Sequence, residues 1–102
     1  MHIKQLDMKT YVENLKFGSL YHIQTGMVYT IVDYDDPISD KWSNGKRKTL
    51  YSKNLFVPLA IVAKNDNLLR IKVLLVDGTI WYMNSLPADL RFLEELSDAD
   101  SK

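Results

Sequence analysis

Three runs of β-favouring residues follow one another with almost nothing between them: Leu55 to Ala63, Leu68 to Val76 and Thr79 to Met83. Only Lys64-Asn65-Asp66-Asn67 and Asp77-Gly78 separate them, and both have turn chemistry. Connections this short leave no room for a crossover, so the three strands form an antiparallel meander. With Asp77-Gly78 as a two-residue turn, Ile71, Val73 and Leu75 share a face with Ile80 and Tyr82. Lys72, Leu74 and Val76 then share the other face with Trp81 and Met83. Both faces are largely apolar, and a small barrel buries only one of them. Leu74, Trp81 and Met83 are therefore either covered by another segment or exposed as a contact surface.

The candidate cover lies near the N-terminus. Met8, Tyr11, Val12 and Leu15 fall at i, i+3, i+4 and i+7, and Thr10 with Glu13 has capping-box spacing, which predicts a short helix ended by Gly18. Leu20 to Ile23 and Met27 to Val32 read as strands joined through Gln24-Thr25-Gly26 as a hairpin. Residues 33 to 54 form a long polar excursion with Pro37 and an Asn44-Gly45 turn signal, predicting a protruding loop or ribbon. In that ribbon Trp42 would face Arg47, a cation–π contact of ~0.5–1 kcal/mol. Ser85 to Leu90 suggests one helical or 3-10 turn, Arg91 to Leu96 a closing strand, and residues 97 to 102 a polar tail.

Together these elements predict an all-β fold, a small five-stranded SH3-like barrel with a short N-terminal helix, forming one domain over residues 1 to 102. The run Val73-Leu74-Leu75-Val76-Asp77-Gly78-Thr79-Ile80-Trp81-Tyr82-Met83, with Leu86, Leu90 and Leu93-Glu94-Glu95-Leu96 after it, resembles the C-terminal half of small SH3-like proteins encoded by tailed bacteriophages. Phe17-Gly18-Ser19-Leu20-Tyr21 is similar to their opening strand. The resemblance implies the barrel and a phage origin, as an accessory or virion-associated protein in the cytoplasm of an infected host cell or in the virion. It implies no particular activity, since most such proteins have none assigned.

Catalytic chemistry finds little purchase in the chain. There is no cysteine, so disulfides, thiolate metal sites and cysteine nucleophiles are absent. The two histidines are His2, at the terminus, and His22, in a strand without a nucleophile beside it. Asp33, Asp35 and Asp36 lack the glycine and distal glutamate of a calcium loop. The four glycines stand apart, so no phosphate-cradling loop is present. The reading is of a non-enzyme with no cofactor and no metal. Apolar runs such as Leu55 to Ala63 are too short for a membrane span, and the N-terminus lacks a signal-peptide apolar region.

Charge is more informative. Thirteen basic residues balance 13 acidic ones, which argues against affinity for phosphate spread over the whole surface. The balance is uneven along the chain, however. Asp33, Asp35, Asp36 and Asp40 form an acidic block, Lys41, Lys46, Arg47, Lys48 and Lys53 a basic one, and residues 85 to 102 a second acidic region. The expected function is a protein–protein interaction module that binds another protein or copies of itself. Its contact residues would be Trp42, Lys46, Arg47, Lys48 and Tyr51 on the excursion and Leu74, Trp81 and Met83 on the meander. The alternative is a nucleic-acid-binding or transcription-regulating module that uses the basic ribbon 41 to 53, where bases interleave with Trp42 and Tyr51.

Overall fold

A computed structural model of the protein describes residues 12–34, 45–65 and 67–96. Among these, seven strands form one antiparallel sheet: β1 Tyr21–Ile23, β2 Val28–Asp33, β3 Lys46–Tyr51, β4 Phe56–Asn65, β5 Leu68–Leu75, β6 Ile80–Ser85 and β7 Leu93–Glu95. Their spatial order is β3-β2-β6-β5-β4-β1-β7, and the sheet curls into a half-barrel. The all-β class is as expected, but the strands number seven rather than five. At the N-terminal end, Val12 to Asn14 make a single helical turn. Val12 packs on the core and Leu15 is buried. Met8 and Tyr11, on which the longer helix rested, lie outside the described residues.

β4 and β5 form the spine, paired from Phe56 opposite Leu75 to Asn65 opposite Leu68. Two register shifts in β4, between Pro58 and Ala60 and between Ile61 and Ala63, bend this long strand so that it can follow the curl. Pro58 has no N–H to offer, and its position suits that, because β1 pairs with β4 only at Phe56. The Pro58 carbonyl instead accepts the Gly18 N–H at 2.8 Å. The concave face carries Ile23, Ile31, Phe56, Ile71, Val73 and Met83, all inaccessible to solvent. Tyr21 stacks on Phe56 with ring centroids 6.1 Å apart. The 3-10 helix Pro87–Phe92 closes one end of this core with Leu90.

The β5–β6 register corrects the expected face assignment. Ile71 lies opposite Met83, Val73 opposite Trp81, and Leu74 opposite Ile80. The connection is a three-residue loop, Val76-Asp77-Gly78, not a two-residue turn. The Gly78 N–H donates to the Leu75 carbonyl at 3.0 Å, and the Leu75 N–H donates to the Thr79 carbonyl at 2.9 Å. Gly78 has φ +86°, as the bulged end of such a loop requires. Asp77 reinforces it by accepting the Thr79 N–H at 2.9 Å. One residue of slip inverts every side chain, so Trp81 and Met83 join the core face and Ile80 and Tyr82 turn to the other.

Two further expectations change. Gln24-Thr25-Gly26 does not close a hairpin, because β1 pairs with β4 and β7 while β2 pairs with β3 and β6. It is a corner at which the chain passes from one end of the sheet to the other, tied down by the Gln24 N–H on the Phe92 carbonyl at 2.7 Å. The described second limb of the 33 to 54 excursion is not a free-standing ribbon. Lys46 to Tyr51 is β3, in register with the whole of β2, with Asp33 opposite Lys46 and Val32 opposite Arg47. Trp42 lies outside the described residues, as do Lys41 and the acidic residues from Asp35 to Asp40.

Candidate partner-binding surface

β3 terminates the described sheet on one side, and its sequence is that of a strand with water beyond it. Lys46, Arg47, Lys48 and Thr49 are all exposed, and only Leu50 turns inward as an anchor, 1% accessible. Bases on an outermost strand oppose indiscriminate edge-to-edge pairing, because a second basic strand would meet like charge. At the far end of the pair, Tyr51 stands opposite Val28, and both are more than half exposed. The outer side of β2 and β3 thus offers Arg47, Thr49 and Tyr51 in a row beside Val28 and Thr30.

Lys48 points the other way. Its ammonium sits 5.5 Å from the Trp81 ring centroid, a cation–π contact between Lys48 and Trp81, while the expected contact of Trp42 with Arg47 falls outside the described residues. The Trp81 indole N–H donates to the Thr79 hydroxyl at 2.9 Å. Asp77 accepts the Thr79 hydroxyl in turn. Bonds from the Thr79 side chain and then its backbone hold the Asp77 carboxyl below the usual carboxylate range, with Lys48 adding a smaller pull. Lys48 and Trp81 are therefore part of a small network that fixes the β5–β6 loop.

A groove of about 400 Å³ lies between β2, β6 and the 3-10 helix. It exists because the β2–β6 ladder is short. Ile31 pairs with Met83 and Val32 with Tyr82, and no pairing continues to Thr30 and Asn84. Tyr29 and Thr30 both line the gap, as do Asn84 and Ser85. Adjacent residues on a strand point to opposite faces, so they can line one space only where the strands have parted. The Tyr29 hydroxyl donates to the Asp89 backbone carbonyl and ties the 3-10 helix across the opening. Burial pushes the Tyr29 phenol up to about 12, with Asp89 adding to the rise and Ser85 and Arg91 working against it.

The residues singled out from sequence do not form one patch. Lys46, Arg47, Lys48 and Tyr51 share β3, but Lys46 and Lys48 project from one side of it and Arg47 and Tyr51 from the other. Met83 is wholly buried in the core, Trp81 packs against that core from its margin, and Leu74 lies on the opposite face. Leu74 helps to line a shallow apolar depression with Leu20, Val57 and Val76, of which Val76 is 77% exposed. His22 pairs across the β1–β7 ladder with Glu94, Nε2 to Oε1 at 3.3 Å. Among the described residues no cluster of three or more His, Cys, Asp or Glu could hold a metal ion, and no helix is long and apolar enough to cross a membrane.

Sequence reasoning missed the groove, because its walls come from four separate segments. It also missed the cluster of Tyr34, Arg70, Tyr82 and Asn84 on the outer face, whose one local signal was an arginine inside a strand of apolar residues. The chain matches no protein family, no curated protein and no solved structure.

Proposed function

We propose that the chain is a non-catalytic protein–protein interaction module whose contact surface is the outer side of β3 and β2, centred on Arg47 and Tyr51. One observation carries this reading: an outermost strand with three exposed bases ends in a half-exposed tyrosine set against a half-exposed valine. Arginine and tyrosine are the residue types that anchor interfaces, and Val28 supplies apolar area beside them. The resemblance of residues 73 to 96 to SH3-like phage proteins supports a phage-encoded accessory or virion-associated setting, in the infected cell or the particle.

Nucleic-acid binding is the second reading, favoured by Lys46, Arg47 and Lys48 lying in one strand with Tyr51. Against it, Lys48 is drawn back over Trp81 and Asp33 stands opposite Lys46, which among the described residues leaves Arg47 alone of the three bases without a neighbouring acid or ring. Purification of tagged protein from its native source, wild type against the Arg47→Ala/Tyr51→Ala variant, tests the first reading. Proteins retained by the wild type and lost by the variant, at equal thermal stability, support it; an identical retained set overturns it. Titration with single-stranded DNA and RNA at two salt concentrations tests the second, which requires binding that falls steeply with salt.

A further inference from the structure

The groove between β2, β6 and the 3-10 helix carries opposite charges that do not neutralise each other. Arg47 contributes to its wall from the β3 side, where pairing with Val32 places its side chain on the face of Val32 and Thr30. Asp89 contributes from the 3-10 helix on the other side, and its carboxylate is near enough to the Tyr29 hydroxyl to help raise that group's pKa. Among the described residues no ion pair joins Arg47 to Asp89. Between them lie Thr30, Asn84 and Ser85 as uncharged hydrogen-bonding groups, and Met27, Val28 and Phe92 as apolar wall. The volume of about 400 Å³ is within the range of small-molecule sites.

We propose that this groove binds a zwitterion of amino-acid or dipeptide size, with its carboxylate on Arg47, its ammonium on Asp89 and an apolar side chain against Met27 and Phe92. A guanidinium offers paired donors suited to a carboxylate, and a carboxylate offers acceptors to an ammonium. A ligand carrying only one charge would satisfy one wall and leave the other charge facing an occupied, partly dried groove, which disfavours it. The pattern therefore selects for both charges on one small body. This goes beyond the interaction-module reading. It also fails separately from it, since Asp89 lies on the 3-10 helix and away from β3.

The test is calorimetric or NMR titration of the whole protein with leucine and with leucylleucine, each also as its N-acetyl form and its C-terminal amide. Binding of either zwitterion, with loss of about tenfold in affinity on blocking either end, is expected. In Arg47→Gln the amide should bind as well as the free acid, while N-acetylation still weakens binding. In Asp89→Asn, which keeps the backbone carbonyl used by Tyr29, the dependence should reverse. Thermal melts of both variants should match the wild type. The proposal is overturned if neither zwitterion binds up to about 10 mM, if blocked and free forms bind alike, or if either variant weakens all forms equally.

Discussion

The β5–β6 register makes a sharp prediction, because it puts on opposite faces two residues that a two-residue turn would have placed on the same one. Met83 is inaccessible, facing Ile71 across the ladder, whereas Leu74 faces Ile80 on the other side and borders an open depression. Truncating either to alanine removes three side-chain atoms. At Met83 those atoms leave a closed space, so a transfer loss of about 2.4 kcal/mol is joined by a cavity penalty, and the total should be ~3–4 kcal/mol. At Leu74 water can enter the space vacated and only part of the transfer energy is at stake, so the cost should be ~1 kcal/mol. The difference of ~2–3 kcal/mol corresponds to about 10–20 °C in Tm for a domain of this size. Urea titration followed by far-UV circular dichroism measures both variants against the wild type, with an unchanged m value as the check on two-state behaviour. If Leu74→Ala and Met83→Ala lose stability within ~0.5 kcal/mol of each other, the three-residue loop and the face assignment built on it are wrong.

Two other perturbations have outcomes fixed by local geometry. Gly45 enters β3 at φ +108°, and a Cβ there would clash with the Asp33 carbonyl oxygen, whereas one at Gly26, at φ +92°, meets nothing within 4 Å. Gly26→Ala should therefore cost only the ~1–2 kcal/mol of the left-handed backbone, and Gly45→Ala distinctly more; equal losses in chemical denaturation would refute the close approach. Tyr29 holds its proton to about pH 12 in the folded state against 10.0 ordinarily, so the unfolded chain ionises first. Its contribution is complete below pH ~10 and is lost as pH rises towards ~12; Tyr29→Phe should remove that part of the alkaline decline in urea midpoints, and an unaltered decline would refute it.

Residues 55 to 96 were largely legible because they follow rules that operate within a few residues. β-branched runs, short turns and an early proline marked β4, β5, β6 and the 3-10 helix close to where they lie. The errors arose where a local signal serves more than one structure. Asp-Gly suits a two-residue turn and equally the end of a three-residue loop, and the bonds that the Asp77 carboxylate accepts from the Thr79 N–H and hydroxyl favour the latter here. Gln24-Thr25-Gly26 is a good turn, but turn chemistry does not say whether the strands it joins will pair. β3 reads from sequence only as one limb of a protruding loop or ribbon, because an outermost strand of the sheet needs just one buried residue, Leu50, and four of its six positions look like solvated polar chain. The site was half legible: Arg47 and Tyr51 stood out by type, whereas Asn84 and Asp89 become meaningful only once β2 and β6 part beside the 3-10 helix.

Arg70 shows why the outer face was harder to read than the core. An arginine in a strand ordinarily marks the wet side of a sheet, yet Arg70 is fully buried. Its guanidinium lies 3.8 Å from the Tyr34 ring centroid, its Nε donates to Asn84 Oδ1 at 3.3 Å, and the Asn84 amide donates to the Tyr34 hydroxyl. Tyr34 in turn meets the Tyr82 ring at 5.9 Å. A flat, weakly hydrated cation can be buried this way because it stacks as well as it bonds, which an ammonium would do poorly. The consequence reaches the groove. Asn84 lines it while being held at its oxygen by Arg70 and at its nitrogen by Tyr34, so its rotamer is set from behind. Val32, 3% exposed, is equally immobilised beside it. That wall of the groove is therefore rigid before any ligand arrives, and what remains free to adjust is the long side chain of Arg47. A site built in this way discriminates by the fixed spacing of its polar groups and tolerates variation at the arginine end, where chain flexibility absorbs the difference between an amino acid and a dipeptide.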